Sequence, residues 1–112
     1  METISIINKI FLLYKLIIDI NGHLDKKWRY SIGQSLEKEI SDGLSNIIMA
    51  KNAPRNLKVP YLLKSSGHIE ISTLKIRLLL ELKAINETKL FQAQKMLIEI
   101  GKMNGGWLKS LQ

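Results

Sequence analysis

The sequence predicts an all-α protein: an up-down-up-down four-helix bundle that assembles into a homo-oligomer. Three observations lead there. Apolar residues recur at spacings of three and four along nearly all of the 112 residues, and nothing alternates with period two for long enough to make a sheet. The helical stretches are joined by short turn-forming segments, which makes successive helices antiparallel neighbours. Two of the helices carry more apolar surface than a single bundle buries. The length gives room for one domain and one core, residues 1–112.

The first helix runs from about Thr3 to Asn21 and stops at Asn21-Gly22, a usual C-terminal signal. On a wheel of about 100° per residue, Asn8, Lys15 and Asp19 share one narrow arc, and apolar side chains from Ile6 to Ile20 cover more than half of the rest. A bundle helix needs an apolar stripe only about 100° wide, so self-association is the simplest account of the excess. The second helix spans about Lys27 to Lys51, with Ile32, Leu36, Ile40, Gly43 and Ile47 on one face. Asn52, Pro54, Asn56 and Pro60 then make an irregular connection.

The third helix, about Pro60 to Ile85, has two apolar ridges: Ile69, Ile76 and Leu80, and separately Ile71, Leu74, Leu78, Leu82 and Ile85. Two ridges suit a helix that packs inside its own bundle and also against a neighbouring chain. Gly67 either kinks this helix or permits a close approach. Asn86 is the N-cap of the fourth helix, which runs from about Glu87 to Ser110. That helix carries one stripe of Leu90, Ala93, Leu97, Ile100, Gly101, Asn104, Trp107 and Leu108, continued by Leu111. Gly33, Gly43 and Gly101 lie inside helical patterns at a cost of about 1 kcal/mol each relative to alanine, which close helix–helix approach would offset.

Charge narrows the function. Seventeen Lys and Arg stand against ten Asp and Glu, a net charge of +7, while the apolar fraction is 46%. The excess is spread through amphipathic segments from Lys9 to Lys109, which implies a folded basic scaffold that meets a polyanion or an acidic partner surface. There is no cysteine, which excludes a disulfide framework, a thiolate metal site and a cysteine nucleophile, and fits a cytoplasmic location. The apolar run Ile4 to Ile20 is too short to span a membrane and is broken by Lys9, Lys15 and Asp19. Glu2 is out of place in a signal peptide. No membrane partner is therefore expected. His23 and His68 are isolated, Gly105-Gly106 follows no strand, and no nucleophile–base pair or acidic dyad stands out. The expectation is no enzyme, no metal and no cofactor.

Three groups of cations remain as binding candidates. Lys95, Lys102 and Lys109 are seven residues apart and share a face away from the apolar stripe, a seam about 21 Å long. It is either a solvated helix face or a sequence-insensitive contact to phosphates. Lys26, Lys27 and Arg29 interleave with Trp28 and Tyr30, which suits backbone neutralisation with base stacking. The alternative is that the two aromatics cap the bundle end. Arg55 and Lys58 would extend that same end. Arg77, set between the two ridges of helix three, pairs with Glu81 or Glu70, or else lines an oligomer channel and grips phosphate.

The stretches KKWRYSIGQSLEKEI, TLKIRLLLELKAIN and EIGKMNGGWLKSL resemble the small four-helix-bundle proteins that include the accessory variability determinant of diversity-generating retroelements. The related 23S rRNA intervening-sequence proteins share the bundle but match these motifs less well. The resemblance covers about Tyr14 to Leu111. Its most specific part is Ile100, Gly101, Gly105, Gly106 and Trp107, joined by Arg29 to Gly33 and by Arg77. The family's usual Phe-Pro-Lys turn before helix two is here Leu24-Asp25-Lys26-Lys27.

That resemblance implies a homopentameric barrel of bundles that has no catalytic activity of its own. It would associate with the retroelement's reverse transcriptase and its template RNA, supporting reverse transcription in which adenines are miscopied. The expected function is a nucleic-acid-binding accessory subunit that holds the polymerase and the template RNA or RNA–cDNA hybrid. Two alternatives stay open: a basic protein–protein scaffold, and an rRNA-associated bundle.

Overall fold

Apolar spacing of three and four becomes four long helices in the computed structural model, which describes residues 2–112 and their side chains from Ser5 onward. The Glu2 and Ile4 side chains, which bear on the N-terminal expectations, lie outside the described residues. Helix α1 spans Glu2–Gly22 and the short α2 spans Lys26–Trp28. A π turn, Arg29–Gly33, joins α2 to α3, Gln34–Asn52. A 3-10 turn, Arg55–Leu57, leads into α4, Lys58–Glu81, and α5 spans Glu87–Ser110. Among the described residues there is no strand, and no helix is long and apolar enough to cross a membrane.

Helices α1 and α4 each pack against both α3 and α5, in a body of 44 × 21 × 19 Å. The core between them is Ile6, Ile10, Leu13, Ile17 and Ile20 of α1, Leu36, Ile40 and Ile47 of α3, Leu62, Ile76 and Leu79 of α4, and Leu90, Leu97 and Ile100 of α5. Burying each such side chain contributes about 1.5–3 kcal/mol. These core residues of α3 and α5 all belong to the predicted stripes of the second and fourth helices, whose other large apolar members Ile32, Trp107, Leu108 and Leu111 are half-buried against the core. Gly43 lets α3 approach α4, since a Cβ there would stand 3.4 Å from His68 Cβ. Gly101 is looser than expected, because its nearest neighbour would be Ile69 Cγ2 at 3.9 Å.

The second predicted helix is not uniformly α. Gln34 N–H reaches back five residues to the Arg29 carbonyl, which widens the turn. Helix three begins earlier and ends sooner than its pattern predicts. Pro60 falls in the first turn of α4, where its missing N–H has no intrahelical partner to lose. At the other end Lys83 adopts φ 52°, Ala84 N–H returns to the Leu79 carbonyl at 3.1 Å, and Ile85 lies beyond the helix. Glycine usually fills that left-handed position, and a lysine leaves no such sign in the sequence.

The buried ridge of α4 includes two serines, tolerated because Ser65 Oγ donates to the Gly43 carbonyl at 3.4 Å and Ser72 Oγ to the His68 carbonyl at 2.7 Å. The second ridge faces outward: Ile71, Leu74, Leu78 and Leu82 are exposed, as are Phe11, Leu12 and Ile18 of α1. Gly67 stands in open space within the continuous helix α4, so a close approach does not explain it. Asn86 is the N-cap of α5, its Oδ1 accepting from Thr88 N–H at 2.9 Å.

Candidate nucleic-acid interface

What each cation touches separates the basic residues into two groups, and one group is occupied by the fold. Arg29 Nε donates to the Asn21 carbonyl at 3.0 Å, and its Nη2 to the carbonyls of Leu24 at 3.1 Å and Gly22 at 3.3 Å. The guanidinium thus satisfies carbonyls at the end of α1, where the helix dipole also favours a positive charge. Lys58 Nζ does the same for α3, donating to Ala50 and Lys51 carbonyls at 2.7 and 3.1 Å. Arg55 Nη2 donates to the Ser110 carbonyl of α5 at 3.2 Å. Arg55 and Lys58 therefore sit at the ends of α5 and α3 and do not extend the Lys26–Tyr30 cluster. Sequence reasoning missed these capping roles because each joins residues from different segments.

Lys26 and Lys27 are exposed and pair with no carboxylate among the described residues. Lys27 Nζ lies 4.9 Å from the centre of the Trp28 ring, a cation–π contact. The two aromatics take different roles: Trp28 is half-buried against the core, whereas Tyr30 is 65% exposed. Tyr30 borders an open cleft of about 310 Å³ lined also by Ile18, Asn21, Gly22, Arg29, Gln34 and Glu37.

Lys95, Lys102 and Lys109 are all exposed on one face of α5. Two exposed apolar residues missed in the sequence share that face, Phe91 and Ile98, with Ile98 57% exposed. The alternation Phe91, Lys95, Ile98, Lys102, Gly105, Lys109 at spacings of four and three was legible, but a search for cations alone passes over it. Glu99 lies beside this seam and accepts from Lys9 Nζ at 2.7 Å. That hydrogen bond, with the Lys9 charge, holds the Glu99 carboxyl below its ordinary value; slight burial opposes it, and the charges of Lys95 and Lys102 lower it further. One carboxylate thus serves three lysines, and the seam stays positive.

Arg77 is exposed, not enclosed between ridges, and its Nε donates to Glu81 Oε2 at 2.9 Å. Of the two carboxylates suggested by spacing, Glu81 is the partner. A pair this exposed adds little stability. No hydrogen bond or ion pair among the described residues joins the α5 seam, the Lys26–Tyr30 cluster and Arg77 to one another.

Elsewhere, Glu39 accepts from His68 Nδ1 at 2.8 Å and lies 3.8 Å from Lys75 Nζ, a cross-helix cluster that linear spacing hides. Among the described residues no group of His, Asp and Glu is arranged to hold a metal ion. No family model, curated protein or solved structure matches the chain.

Proposed function

We propose that the chain is a non-enzymatic accessory subunit of a diversity-generating retroelement, which binds template RNA or its RNA–cDNA hybrid and docks on the reverse transcriptase in the cytoplasm. One observation carries the nucleic-acid part. Lys26, Lys27, Lys95, Lys102 and Lys109 are exposed, without a paired carboxylate among the described residues, on a chain of net charge +7. Unpaired surface lysines neutralise phosphates and release counterions. The motif resemblance supplies the polymerase and the retroelement.

Within this reading the helices run up-down-up-down. The reversed order of two contacts supports that arrangement: Lys9 of α1 meets Glu99 of α5, while Asp19 meets Lys89. The exposed ridge Ile71, Leu74, Leu78 and Leu82 supports assembly into a ring, with each copy covering its neighbour's ridge. RNA affinity measured against salt tests the core of the proposal. Log K should fall by about 0.7–0.9 per phosphate neutralised per decade of salt, and a flat response would sink it.

The scaffold reading has its own support in Phe91 and Ile98, because apolar side chains among lysines suit an acidic, amphipathic protein surface. Charge reversal at Lys95, Lys102 and Lys109 separates the two. Loss of RNA with retention of polymerase favours RNA contact by the seam, and the opposite result favours a protein partner there.

A further inference from the structure

The cleft at the end of α1 has more definition than an ordinary surface hollow. At about 310 Å³ it reaches the lower end of the range occupied by small-molecule sites, about 300–1,000 Å³. Its walls are held in place by contacts that do not involve any ligand. Arg29 is fixed by the carbonyls of Asn21 and Gly22 at the α1 terminus and of Leu24 just beyond it. Glu37 Oε2 accepts from Asn21 Nδ2 at 2.6 Å, and the same buried amide donates to the Gly33 carbonyl at 2.8 Å. Two opposite charges are thereby preorganised on one cleft. Arg29 Nη1 and Glu37 Oε1 have no hydrogen-bond partner among the described residues.

The π turn gathers the other groups. Tyr30, Gln34 and Glu37 follow one another at spacings of four and three and all line the cleft. π turns inserted in helices are frequently found at functional sites. The Arg29 guanidinium carbon lies 5.9 Å from the centre of the Tyr30 ring, while most of the tyrosine is open to solvent beside exposed Ile18. An exposed ring backed by a cation is a stacking platform.

We propose that this cleft takes a guanine base, from a free nucleotide or from an unpaired residue of a single strand, stacked on Tyr30 and read at its edge by Glu37. A carboxylate only accepts hydrogen bonds, so it selects a base edge with two donors side by side. Guanine offers two adjacent donors, N1–H and N2–H₂, whereas each of the other bases presents a single donor group beside acceptors on its Watson–Crick edge. Gln34 supplies both a donor and an acceptor beside that edge. Lys26 and Lys27, exposed on the short helix before the π turn, add positive charge to this end of the molecule. The single-strand source rests on the nucleic-acid reading above; the free-nucleotide source does not.

The test uses the full chain with GMP, AMP, CMP and UMP as probes, followed by amide chemical shifts, and single-stranded RNA 12-mers with and without guanines. GMP should shift the amides around Tyr30 and Glu37 and bind about tenfold more tightly than the other three. Tyr30→Ala should weaken GMP about tenfold. Glu37→Gln, which still accepts from Asn21, should abolish the preference for guanine while leaving the fold's spectrum intact.

Equal binding of all four nucleotides, no shift at the cleft, or an unchanged preference in Glu37→Gln would overturn the proposal. Salt-dependent RNA binding that ignores both substitutions and guanine content would overturn the cleft as a base site while the nucleic-acid reading stands. A GMP response at the cleft with no RNA bound at any ionic strength would support the cleft as a free-nucleotide site and remove the nucleic-acid reading.

Discussion

Asn21 stands against the bare Cα of Gly33, so close that a Cβ there would lie 2.7 Å from Asn21 Oδ1 and 3.0 Å from its Cγ. The buried amide cannot retreat without losing its bonds to the Gly33 carbonyl and Glu37. Gly33→Ala should therefore destabilise the protein by about 2 kcal/mol in chemical denaturation, despite alanine's better helix propensity. Gly101→Ala meets only Ile69 at 3.9 Å and should stabilise by about 0.5–1 kcal/mol. Equal effects of the two substitutions would contradict this account of Gly33.

Arg29 and its neighbours Lys26 and Lys27 should separate folding from binding. Arg29→Lys keeps the charge but loses the fork that reaches three carbonyls, and should lower stability by about 1–2 kcal/mol. Paired Lys26→Gln and Lys27→Gln should leave the denaturation midpoint nearly unchanged and weaken RNA. A thermal melt and a filter-binding curve on each variant decide the point.

Removing the α5 seam should change the salt response in a countable way. With Lys95, Lys102 and Lys109 all replaced by glutamine, the slope of log K against log salt should fall in magnitude by about 2 to 3. An unaltered slope would place the phosphate contacts elsewhere.

Acid should loosen the surface pairs. Glu99, Asp19 and Asp42 each have a lowered pKa, chiefly through hydrogen bonds from Lys9, Lys89 and Lys38. A carboxyl with a lowered folded pKa contributes stability that is full above its unfolded value and lost as pH falls through the folded one. For these groups the ordinary values are 4.5 for Glu and 3.8 for Asp, so the loss comes in acid below that range. Lys38 is the opposite case: Asp42 raises its pKa from 10.5, and its contribution is full below that value and disappears as pH rises through the higher folded one. In a carboxyl-detected NMR titration, Lys9→Gln should bring the Glu99 midpoint up toward 4.5.

Light scattering at micromolar concentration should give a mass well above 12.8 kDa. Leu74→Lys with Leu78→Lys, both on the exposed ridge of α4, should reduce it to that of one chain with the helical spectrum unchanged. A monomeric wild-type chain would refute the assembly.

Where side-chain period alone decides the outcome, the sequence was a good guide. Leu36, Ile40, Gly43 and Ile47 of the second stripe are buried, as are Leu90, Ala93, Leu97, Ile100 and Asn104 of the fourth. Ile71, Leu74, Leu78 and Leu82 of the outward ridge are exposed, but the inward ridge of Ile69, Ile76 and Leu80 missed the buried Leu79. What escaped depends on meetings across the chain. Arg29, Arg55 and Lys58 look like surface cations in a linear reading, and only the approach of a helix end reveals their carbonyl partners. Lys83 takes a backbone conformation that sequence assigns to glycine. The π turn left no periodic trace, because the helix it rotates is only Lys26–Trp28, too short to show a shifted pattern. Of the proposed site, the lysine spacing and the place of Phe91 and Ile98 on the same face were legible, but the cleft beside Tyr30 was not.

The π turn also sets an azimuth. It holds one residue more than an α turn in the same stretch of rod, so the residues before it are rotated by about 100° relative to a regular helix. Deleting a single residue between Arg29 and Gly33 would restore the regular ladder and swing Lys26, Lys27 and Trp28 around the axis by that angle. The direction in which this end presents its positive charge thus depends on the number of residues in the turn as well as on their identity, and a length change there would re-aim the cluster without altering one charged side chain.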